Sequence, residues 1–372
     1  MHKIFRIVLT GGPCSGKTTV LMYLIQRLQE LGYIVLVVPE SATLCITGGL
    51  SPVNKVVGVK IGQTAIAGLQ YHMEHTWFEA AEELAQQAPV VILYDRGMVD
   101  GKAYMPTRLY NQILAHKGLV HEYVRDQRYH GVIHMVTAAL GAEKFYTLAN
   151  NKARYENSLA KARIQDEKVK SVWIGHGHLR IIDNSTDFRN KVRRVFKEVC
   201  HILGMPPIEH ERKFLVSFRQ KDLPANAQQI DIEQFYPLSE DPNVTERFRK
   251  RGQRGFFTYY RTTKQPCGRG KNIEVEDFAT ESQYVLALKS RRPDTGIVEK
   301  VRICFVYKSQ YFELDRFVDA RALPSGADGL LEIELTGKSD KVQIPDFINV
   351  LSEVTGDSRF SNFSIAKALG GK

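Results

Sequence analysis

The segment GGPCSGKT, residues 11–18, is the stretch whose residue types and spacing most directly specify chemistry. It fits G-x-x-x-x-G-K-[ST] and lies between an apolar run and a helical pattern, the context that this phosphate-binding loop requires. Its backbone N–H groups and the helix N-terminus behind them favour phosphate oxygens. Lys17 is expected to reach the β- and γ-phosphates, and Thr18 to ligate Mg²⁺. The predicted nucleotide-binding residues of this loop are Gly11, Gly12, Pro13, Cys14, Ser15, Gly16, Lys17, Thr18 and Thr19.

A carboxylate ends a later apolar run and predicts a second Mg²⁺ contact. In PVVILYDRG the run ends in Asp95, a Walker-B-like position, and Arg96 follows it. Many motor ATPases carry a water-activating glutamate at that next position, so a motor ATPase is disfavoured. With Glu40 at the end of VVPE, the set is similar to small-molecule kinases of the nucleoside and nicotinamide riboside type. That resemblance implies that Glu40 faces a phosphoryl acceptor, which makes Glu40, Asp95 and Arg96 the candidate catalytic residues.

Three further segments are predicted to lie around the nucleotide. The helical pattern of residues 150–168 carries Arg154 and resembles the phosphate-clamping lid of such kinases, although a solvated helix with exposed charges also explains it. Asn184 and Thr186 follow the apolar run LRII and are weak candidates for base recognition. The glycine-rich residues 47–62 are either a mobile loop over the nucleotide or a plain surface excursion.

The second half of the chain places charges at alternate positions of strand-like runs. In IEHERKFLV, residues 208–216, Glu209, Glu211 and Lys213 share one face of a strand. One wet face on an ordinary sheet explains each run alone, but a closed barrel with charges inside explains the set better. Without a cation or internal pairing, these acids would repel one another and raise their pKa values. The other alternating sets are Arg247/Arg249/Arg251, Tyr260/Thr262/Lys264, Lys300/Arg302, Glu313/Asp315 and Glu332/Glu334.

Roughly residues 208–372 resemble the CYTH or triphosphate-tunnel family. The resemblance rests on six charged patterns in this order: E-x-E-x-K, R-x-R, T-x-K, K-x-R, E-x-D and E-x-E. The resemblance implies a lumen that binds phosphate groups and Mg²⁺ or Mn²⁺, both hard cations that prefer oxygen ligands. The implied phosphate-binding residues are Lys213, Arg247, Arg249, Lys264, Lys300 and Arg302. The implied metal ligands are Glu209, Glu211, Glu313, Asp315, Glu332 and Glu334.

Two domains must position these residues. Residues 1–205 alternate apolar strand-like runs with helical patterns, which predicts an α/β P-loop NTPase domain whose parallel sheet is flanked by helices. Glycine and proline near residue 206 mark the boundary. Residues 206–372 are predicted to form an α+β domain with a closed antiparallel β-barrel.

Composition indicates which partners and which cellular compartment to expect for the protein. Among 372 residues, Lys and Arg exceed Asp and Glu by ten, which favours anionic partners. The five cysteines lack CxxC spacing and are expected to be reduced thiols outside any zinc site. Neither a signal-peptide pattern nor an apolar run of membrane-spanning length is evident, so a cytoplasmic protein is expected.

The pairing of the two domains resembles the TRPL translocation defect proteins, on GGPCSGKTT, VVPES, LYDRG, IIDNST and the tail VTGDSRFSNFSIAKALG. The resemblance implies GTP or GDP binding with Mg²⁺, ATP being possible, and binding of phosphoinositides or other anionic phospholipids. It also implies a nucleotide-regulated adaptor in membrane-protein trafficking, associated peripherally with membranes. A tunnel triphosphatase and a small-molecule kinase stay open as alternatives. Specific nucleic-acid binding is not expected, since the aromatics show no stacking pattern among the basic residues.

Overall fold

A computed structural model describes residues 2–147, 158–205, 211–239, 241, 244–266, 272–336 and 341–370. The chain divides into two compact units, Met1–Val199 and Cys200–Lys372. The division falls a little before the boundary predicted near residue 206. Each unit is described by itself below.

The first unit is built on a five-stranded parallel sheet in the order β2-β3-β1-β4-β5. All five strands coincide with the apolar runs that the sequence predicts. The central residues of β1, β3, β4 and β5 are buried, because helices cover both faces of a parallel sheet, whereas β2 lies at the edge of the sheet and is only partly buried. The strands are β1 (Ile4–Gly11), β2 (Ile34–Val38), β3 (Val90–Asp95), β4 (Gly131–Met135) and β5 (Leu179–Ile182).

Helices connect these strands, and the predicted α/β architecture is confirmed. The helix after the phosphate-binding loop buries Val20, Leu21, Leu24 and Leu28, the helical spacing read from the sequence. Within the described residues, no helix has both the length and the apolar character needed to cross a membrane. The helices are α1 (Lys17–Glu30), α2 (Ser41–Thr47), α3 (Gly58–Leu84), α4 (Thr107–Ala115), α5 (His121–Asp126), α6 (Leu159–Ser171) and α7 (Phe188–Ile202).

The second unit contains one nine-stranded sheet in the order β10-β9-β8-β7-β11-β12-β13-β6-β14, in which neighbouring strands are antiparallel. Two helices, α8 (Glu281–Lys289) and α9 (Asn362–Gly370), accompany it. The strands are β6 (Glu211–Phe218), β7 (Gln228–Phe235), β8 (Thr245–Gln253), β9 (Phe256–Pro266), β10 (Asn272–Ala279), β11 (Val298–Tyr307), β12 (Gln310–Phe317), β13 (Gly329–Glu334) and β14 (Ile348–Glu353).

The predicted closed barrel is not found. Across the described residues, the outermost strands β10 and β14 are not paired with each other, so the sheet keeps two edges. A bulge between Val350 and Ser352 interrupts the register of β14 against β6. Bulges bend a strand and increase its twist, which turns an edge away from further pairing.

The sheet is nevertheless curled. This is indicated by charged residues from strands far apart in the sheet, which all act on one buried side chain, that of Tyr236. Burial raises the pKa of this tyrosine, and Arg247, Glu274 and Lys213 also act on its hydroxyl electrostatically. Glu274 lies on β10 and Lys213 on β6, which in a flat sheet would be about 33 Å apart, seven strand spacings. The curl therefore gathers polar side chains from distant strands onto one concave face.

The opposite face of the same strands is apolar. Phe214, Ile303, Phe312 and Leu331 pack there in a buried cluster. Because side chains alternate along a strand, their neighbours Lys213, Arg302, Glu313 and Glu332 point to the concave face. The predicted alternation of charged and apolar faces is present, on an open curled sheet rather than on a barrel.

Candidate nucleotide site and charged face

The phosphate-binding loop joins β1 to α1 and requires glycine at its last bend. Gly16 has a φ of 89°, and a Cβ there would lie 2.4 Å from the ring of Phe188. Backbone conformation and lack of space both exclude a larger residue at this point. The bend aims the first turn of α1, and Lys17 with it, at the ligand position.

Lys17 is held at this position without a strong partner. Its Nζ lies 3.4 Å from the carbonyl oxygen of Gly11 and 3.4 Å from Ser15 Oγ. Burial lowers the pKa of Lys17, and the nearby Arg96 lowers it further. A phosphate oxygen would supply the negative charge that this buried ammonium lacks.

Asp95 ends β3 with one carboxylate oxygen buried and without a hydrogen-bond partner. Burial raises the pKa of Asp95, and Lys17 partly opposes that shift. An orphaned buried carboxylate oxygen beside a phosphate-binding loop fits a Mg²⁺ ion, which prefers such hard ligands. Thr18 and Asp95 would hold the ion, which when bound neutralises charge between phosphate oxygens.

Glu40 and Arg96 form an ion pair at the edge of the site, with Arg96 Nε donating to Glu40 Oε1 at 2.6 Å. Thr43 Oγ1 donates to the other oxygen of Glu40 at 2.6 Å. Burial raises the pKa of Glu40, but Arg96, Lys17 and Thr43 outweigh it and lower that pKa to about 2. Glu40 is therefore an anion at neutral pH.

Arg96 itself has two unusual features. Its φ of 74° is rare for a residue with a side chain, and its carbonyl accepts from Gln70 Nε2 at 3.1 Å. Its Nη1 is buried without a hydrogen-bond partner. A strained backbone holding an unsatisfied guanidinium nitrogen is typical of a functional position.

One cavity of about 980 Å³ contains all of these groups. Its phosphate end is formed by Pro13 to Thr19, Asp95 and Lys17. The cavity continues past Glu40 and Arg96 into a pocket with apolar walls and two buried glutamines. That second end is lined by Thr43, Ile46, Pro52, Gln63, Ile66, Ala67, Gln70, Met98, Tyr104 and Met105.

The base-recognition candidates both line the cavity, but they differ in availability. The amide of Asn184 donates to the carbonyls of Thr137 at 2.8 Å and Leu140 at 2.7 Å, and its Oδ1 accepts from Lys191. Asn184 is therefore committed to the scaffold. The hydroxyl of Thr186 is buried without a partner.

Two predicted loop residues do not line the cavity. Gly11 would place a Cβ 2.1 Å from the carbonyl oxygen of Met135, so it packs against β4. The N–H of Gly12 donates to Asp166 Oδ1 at 2.7 Å. The lid candidate Arg154 lies outside the described residues.

Two acids outside the predicted site residues also shape this site, and only one of them, Asp100, was indicated by the sequence. Asp166 fixes the loop at Gly12 and also accepts from the N–H of Thr137 at 3.1 Å. Asp100 accepts from the hydroxyl of Thr10 and the indole of Trp173. The downstream acid in DRGMVD was visible in the sequence, but Asp166 lies in a helix 150 residues beyond the loop and carried no signal.

On the concave face of the second unit, cations and acids are paired with each other. Lys213 Nζ lies 2.8 Å from Glu332 Oε1, and Lys300 Nζ lies 2.5 Å from Asp315 Oδ2. Arg302 contacts Asp315 at 2.7 Å and Glu332 at 2.8 Å, and it also pairs with Glu313. This half of the face is internally neutralised.

Arg247 and Arg249 have longer contacts with the acids of the face, although Arg247 also donates to Thr262 Oγ1 at 3.0 Å. Arg247 lies 3.4 Å from both Glu274 and Glu276, and Arg249 lies 3.6 Å from Glu276. The Nε atoms of both arginines are buried without a partner, as are both amide atoms of Gln234, which lies opposite Arg249 in the register. Burial lowers the pKa of Arg249 to about 10, and Arg247 contributes to that shift. These side chains are the part of the face whose buried polar atoms are incompletely satisfied.

The acids of the face titrate in two groups. Burial raises the pKa of Glu211 to about 8, with Glu332 adding to the shift, and burial also raises the pKa of Glu313. For Asp315 and Glu332, Arg302 and nearby lysines overcome the effect of burial and lower the pKa. An upward shift therefore occurs both at Glu211 and at Glu313, although Glu313 is paired with Arg302, because burial and the neighbouring acids outweigh that pairing.

The structure tests the predicted metal ligands only in part. Glu209 lies outside the described residues. Among the residues that are described, no group of three or more His, Cys, Asp and Glu side chains is arranged to hold a metal. Glu334 lies at the end of β13 and is exposed, with Glu211 opposite it in the register. Lys264 contacts Glu274 at 2.5 Å.

Glu274 and Glu276 are the acids of this face that sequence reasoning missed. They occupy alternate positions of β10, and the run IEVEDF carries the E-x-E pattern used elsewhere to find such pairs. Thr262 donates to Glu276 Oε2 at 2.8 Å and so fixes one of them. The alternation that identifies the other acid pairs therefore identifies this pair as well.

A family model described as an AAA domain matches residues 6–191, half of the chain. The chain belongs to this AAA-domain family. The match covers the phosphate-binding loop, Glu40, Asp95 and Thr186, and the first unit is a nucleotide-binding P-loop domain. That Arg96 disfavours a motor ATPase activity stays a prediction.

Two solved structures are similar to part of the chain: "the hypothetical protein NE1496", 26% identical, and "the inorganic triphosphatase NE1496", 24% identical. Each likeness covers 43% of this chain, with 97% and 95% of the other chain, at a TM-score of 0.32. That score is too low to support a conclusion about this protein. No curated protein matches the chain. The narrower resemblance to the TRPL translocation defect proteins stays a prediction.

Proposed function

We propose that the protein is a nucleotide-regulated adaptor. Its first unit binds a nucleoside triphosphate with Mg²⁺, and the concave face of its second unit binds a phosphorylated, anionic guest. The observation that carries the proposal is the set of buried groups left without partners, Asp95 Oδ1 in the first unit and the Nε atoms of Arg247 and Arg249 in the second. Buried polar atoms are normally satisfied, so such groups indicate where a ligand belongs.

For the nucleotide, we propose GTP or GDP, with ATP as the competitor to be tested. The guanine preference rests on the resemblance described above. The unpartnered hydroxyl of Thr186 at the cavity wall is the group proposed to contact the base.

For the guest, we propose a phosphoinositide headgroup or another anionic phospholipid, which would place the protein at membranes in a trafficking role. Arg247 and Arg249 would bind the phosphate groups, because arginine forks match phosphate geometry. Lys264, which is partly exposed, lies on the neighbouring strand β9. The more tightly paired Lys300 and Arg302 would contribute only if the guest displaced an acid.

The nucleotide half is tested by titrating the full chain with fluorescent GTP and ATP, each with and without Mg²⁺. Wild-type protein is expected to bind GTP–Mg²⁺ more tightly than ATP–Mg²⁺. Asp95→Asn should lose the Mg²⁺ dependence while the exposed control Lys60→Ala behaves as wild type. Equal affinity for both nucleotides would remove the guanine preference, and no binding of either would overturn the nucleotide half.

The guest half is tested by titrating the same protein with soluble inositol phosphates and with inorganic tripolyphosphate. Arg247→Ala/Arg249→Ala should abolish binding of the guest without changing nucleotide affinity. Release of phosphate from tripolyphosphate that requires a metal and is lost in Glu332→Ala would instead assign a triphosphatase to this face. Absence of binding to either ligand would overturn the guest half.

A second candidate function, phosphoryl transfer to a small molecule, is favoured by the far end of the cavity. Gln63 is only 5% exposed, lines that end and makes no side-chain hydrogen bond. Glu40 as an anion could accept a hydrogen bond from the hydroxyl of an acceptor and so orient it, and Arg96 Nη1 lies unpaired beside it. A ligand with a hydroxyl group and an apolar ring would fit these walls.

That candidate is tested by incubating the protein with radiolabelled GTP or ATP and a panel of nucleosides. A labelled product that Glu40→Gln abolishes, while nucleotide affinity is retained, would establish a kinase. If only free phosphate appears, and at equal rates in wild type and Glu40→Gln, phosphoryl transfer at this position is excluded.

A further inference from the structure

Six large aliphatic side chains are exposed within residues 44–61 of the first unit. We call this set the aliphatic ridge. Val56 is 89% exposed, Val53 63% and Ile61 56%. No other stretch of similar length in the described part of the chain exposes as many large apolar residues. The ridge consists of Leu44, Leu50, Val53, Val56, Val59 and Ile61.

Local structure holds the ridge outward. Between α2 and α3 the side chain of Asn54 accepts from the N–H groups of Val56 at 2.8 Å and Val57 at 3.3 Å, which fixes the turn. On the inner side, a Cβ on Gly62 would lie 2.8 Å from Pro52, so α3 packs directly on that proline. The inner side is therefore already filled, and the aliphatic side chains cannot turn inward to escape water. Exposed patches of this kind mark interaction sites.

The charges around the ridge have one sign. Lys55 and Lys60 are exposed, and no acidic residue occurs between Ser41 and Met73. Glu40, the nearest acid on the N-terminal side, is paired with Arg96. The ridge therefore presents aliphatic groups and positive charge together, which suits an anionic surface.

The residue types favour a lipid surface over a protein. Hot spots of protein interfaces are enriched in Trp, Tyr and Arg, and leucine and valine are under-represented there. Aliphatic side chains flanked by lysines match segments that lie in the headgroup region of a bilayer, where basic residues are attracted to anionic lipid.

We propose that the aliphatic ridge docks the first unit onto an anionic lipid bilayer. Val53, Val56 and Ile61 would enter the boundary between headgroups and acyl chains, and Lys55 and Lys60 would lie at headgroup phosphates. This contact needs no phosphoinositide and is independent of the charged face of the second unit. It therefore survives if the guest proposed for that face is wrong.

The test is flotation of the full chain with vesicles of phosphatidylcholine and phosphatidylserine that contain no phosphoinositide. Wild-type protein is expected to float, and Val53→Ser/Val56→Ser/Ile61→Ser should lower the vesicle partition coefficient by roughly tenfold or more. Lys55→Glu/Lys60→Glu should remove the dependence on phosphatidylserine. Val285→Ser/Leu286→Ser, which changes two exposed aliphatic residues on α8, is the matched control and should float as wild type. Unchanged fluorescent-nucleotide affinity shows that the variants are folded.

A direct readout comes from Val56→Trp, whose fluorescence should shift to the blue when these vesicles are added. Failure of the wild type to float, or equal flotation of the triple serine variant, would overturn the proposal. If the triple variant instead changes the oligomeric state by light scattering, the ridge covers a second copy of the chain and the proposal is also wrong. If Arg247→Ala/Arg249→Ala no longer floats with these vesicles, lipid binding would be assigned to the second unit instead of the ridge.

Discussion

The two units treat their buried charges in opposite ways. In the nucleotide cavity, Asp95 Oδ1 and Arg96 Nη1 are left without partners, and Lys17 has only contacts of 3.4 Å. On the concave face of the second unit, Lys300 and Arg302 contact Asp315 at 2.5 to 2.7 Å. The first site has buried groups that a ligand would satisfy, whereas most charges of the second site already pair with one another.

The difference determines which existing contacts each site must break in order to bind a ligand. A phosphate or Mg²⁺ entering the first unit satisfies groups that are already desolvated, so its binding breaks no strong contact. A guest on the tightly paired part of the second face must displace an acid, and separating a buried ion pair is costly. Arg247 and Arg249, with their longer contacts of 3.4 to 3.6 Å, are the exception and the natural point of entry.

The largest expected effect is on stability, when a buried aspartate is replaced by asparagine in each unit in turn. Asp315→Asn removes the common partner of Lys300 and Arg302 and is expected to destabilise the second unit by about 3–5 kcal/mol. Asp95→Asn removes a buried carboxylate that lacks a cationic hydrogen-bond partner, so stability should be unchanged or increased.

Urea unfolding separates these outcomes, because both tryptophans, Trp77 and Trp173, lie in the first unit. Tryptophan fluorescence reports that unit, and far-UV circular dichroism reports both. Equal loss of stability in the two variants would contradict the contrast between the regions.

A smaller but still large effect is expected for Lys17→Ala. Removing the ammonium should weaken binding of GTP–Mg²⁺ roughly 100-fold, the size of lost hydrogen bonds to a charged group. Isothermal titration calorimetry measures it, and the exposed Lys60→Ala is the control. A change of less than a few-fold would mean that Lys17 does not contact the phosphates.

Within the second face, Arg249→Ala should weaken binding of tripolyphosphate or inositol phosphate roughly tenfold. Lys213→Ala should have a smaller effect, because Lys213 is already neutralised by Glu332 at 2.8 Å. Titrations of both variants at one salt concentration decide the order. The reverse order would mean that the guest displaces the acids after all.

The smallest expected effect is a pH dependence at Glu211, whose pKa burial raises to about 8. The folded state holds this proton more tightly than the unfolded chain. The resulting stability is fully present below the ordinary pKa and is lost as the pH rises through about 8. Glu211→Gln should therefore match wild type near pH 4 and exceed its stability above pH 8 by about 1 kcal/mol, after allowance for solvent screening.

The measurement is thermal unfolding of Glu211→Gln and of the wild type, followed by circular dichroism from pH 4 to above pH 8. Glu353→Gln, an exposed acid paired with Arg212, serves as the control. A constant difference at every pH would place the effect in packing rather than in the proton.

Local pattern was sufficient to predict much of this protein. The five apolar runs of the first unit and the helix after GGPCSGKT predicted a parallel sheet and a P-loop, because hydrophobic period and loop spacing are local properties. Alternation also predicted which side of β11, β12 and β13 is charged. In the second unit, Glu274 and Glu276 have the same local pattern, so they too are predictable from the sequence.

The sequence by itself determined which functional elements are present: a phosphate-binding loop, an acid at the end of β3, and strands with one charged face. Tertiary structure alone decided three things. It left the nine-stranded sheet open, since closure depends on whether two distant edges meet. It brought Asp166 to Gly12 across 154 residues, and it decided which charges are paired and which are left unsatisfied. Those outcomes depend on distances between segments far apart in the chain, and no local pattern of residues encodes such distances.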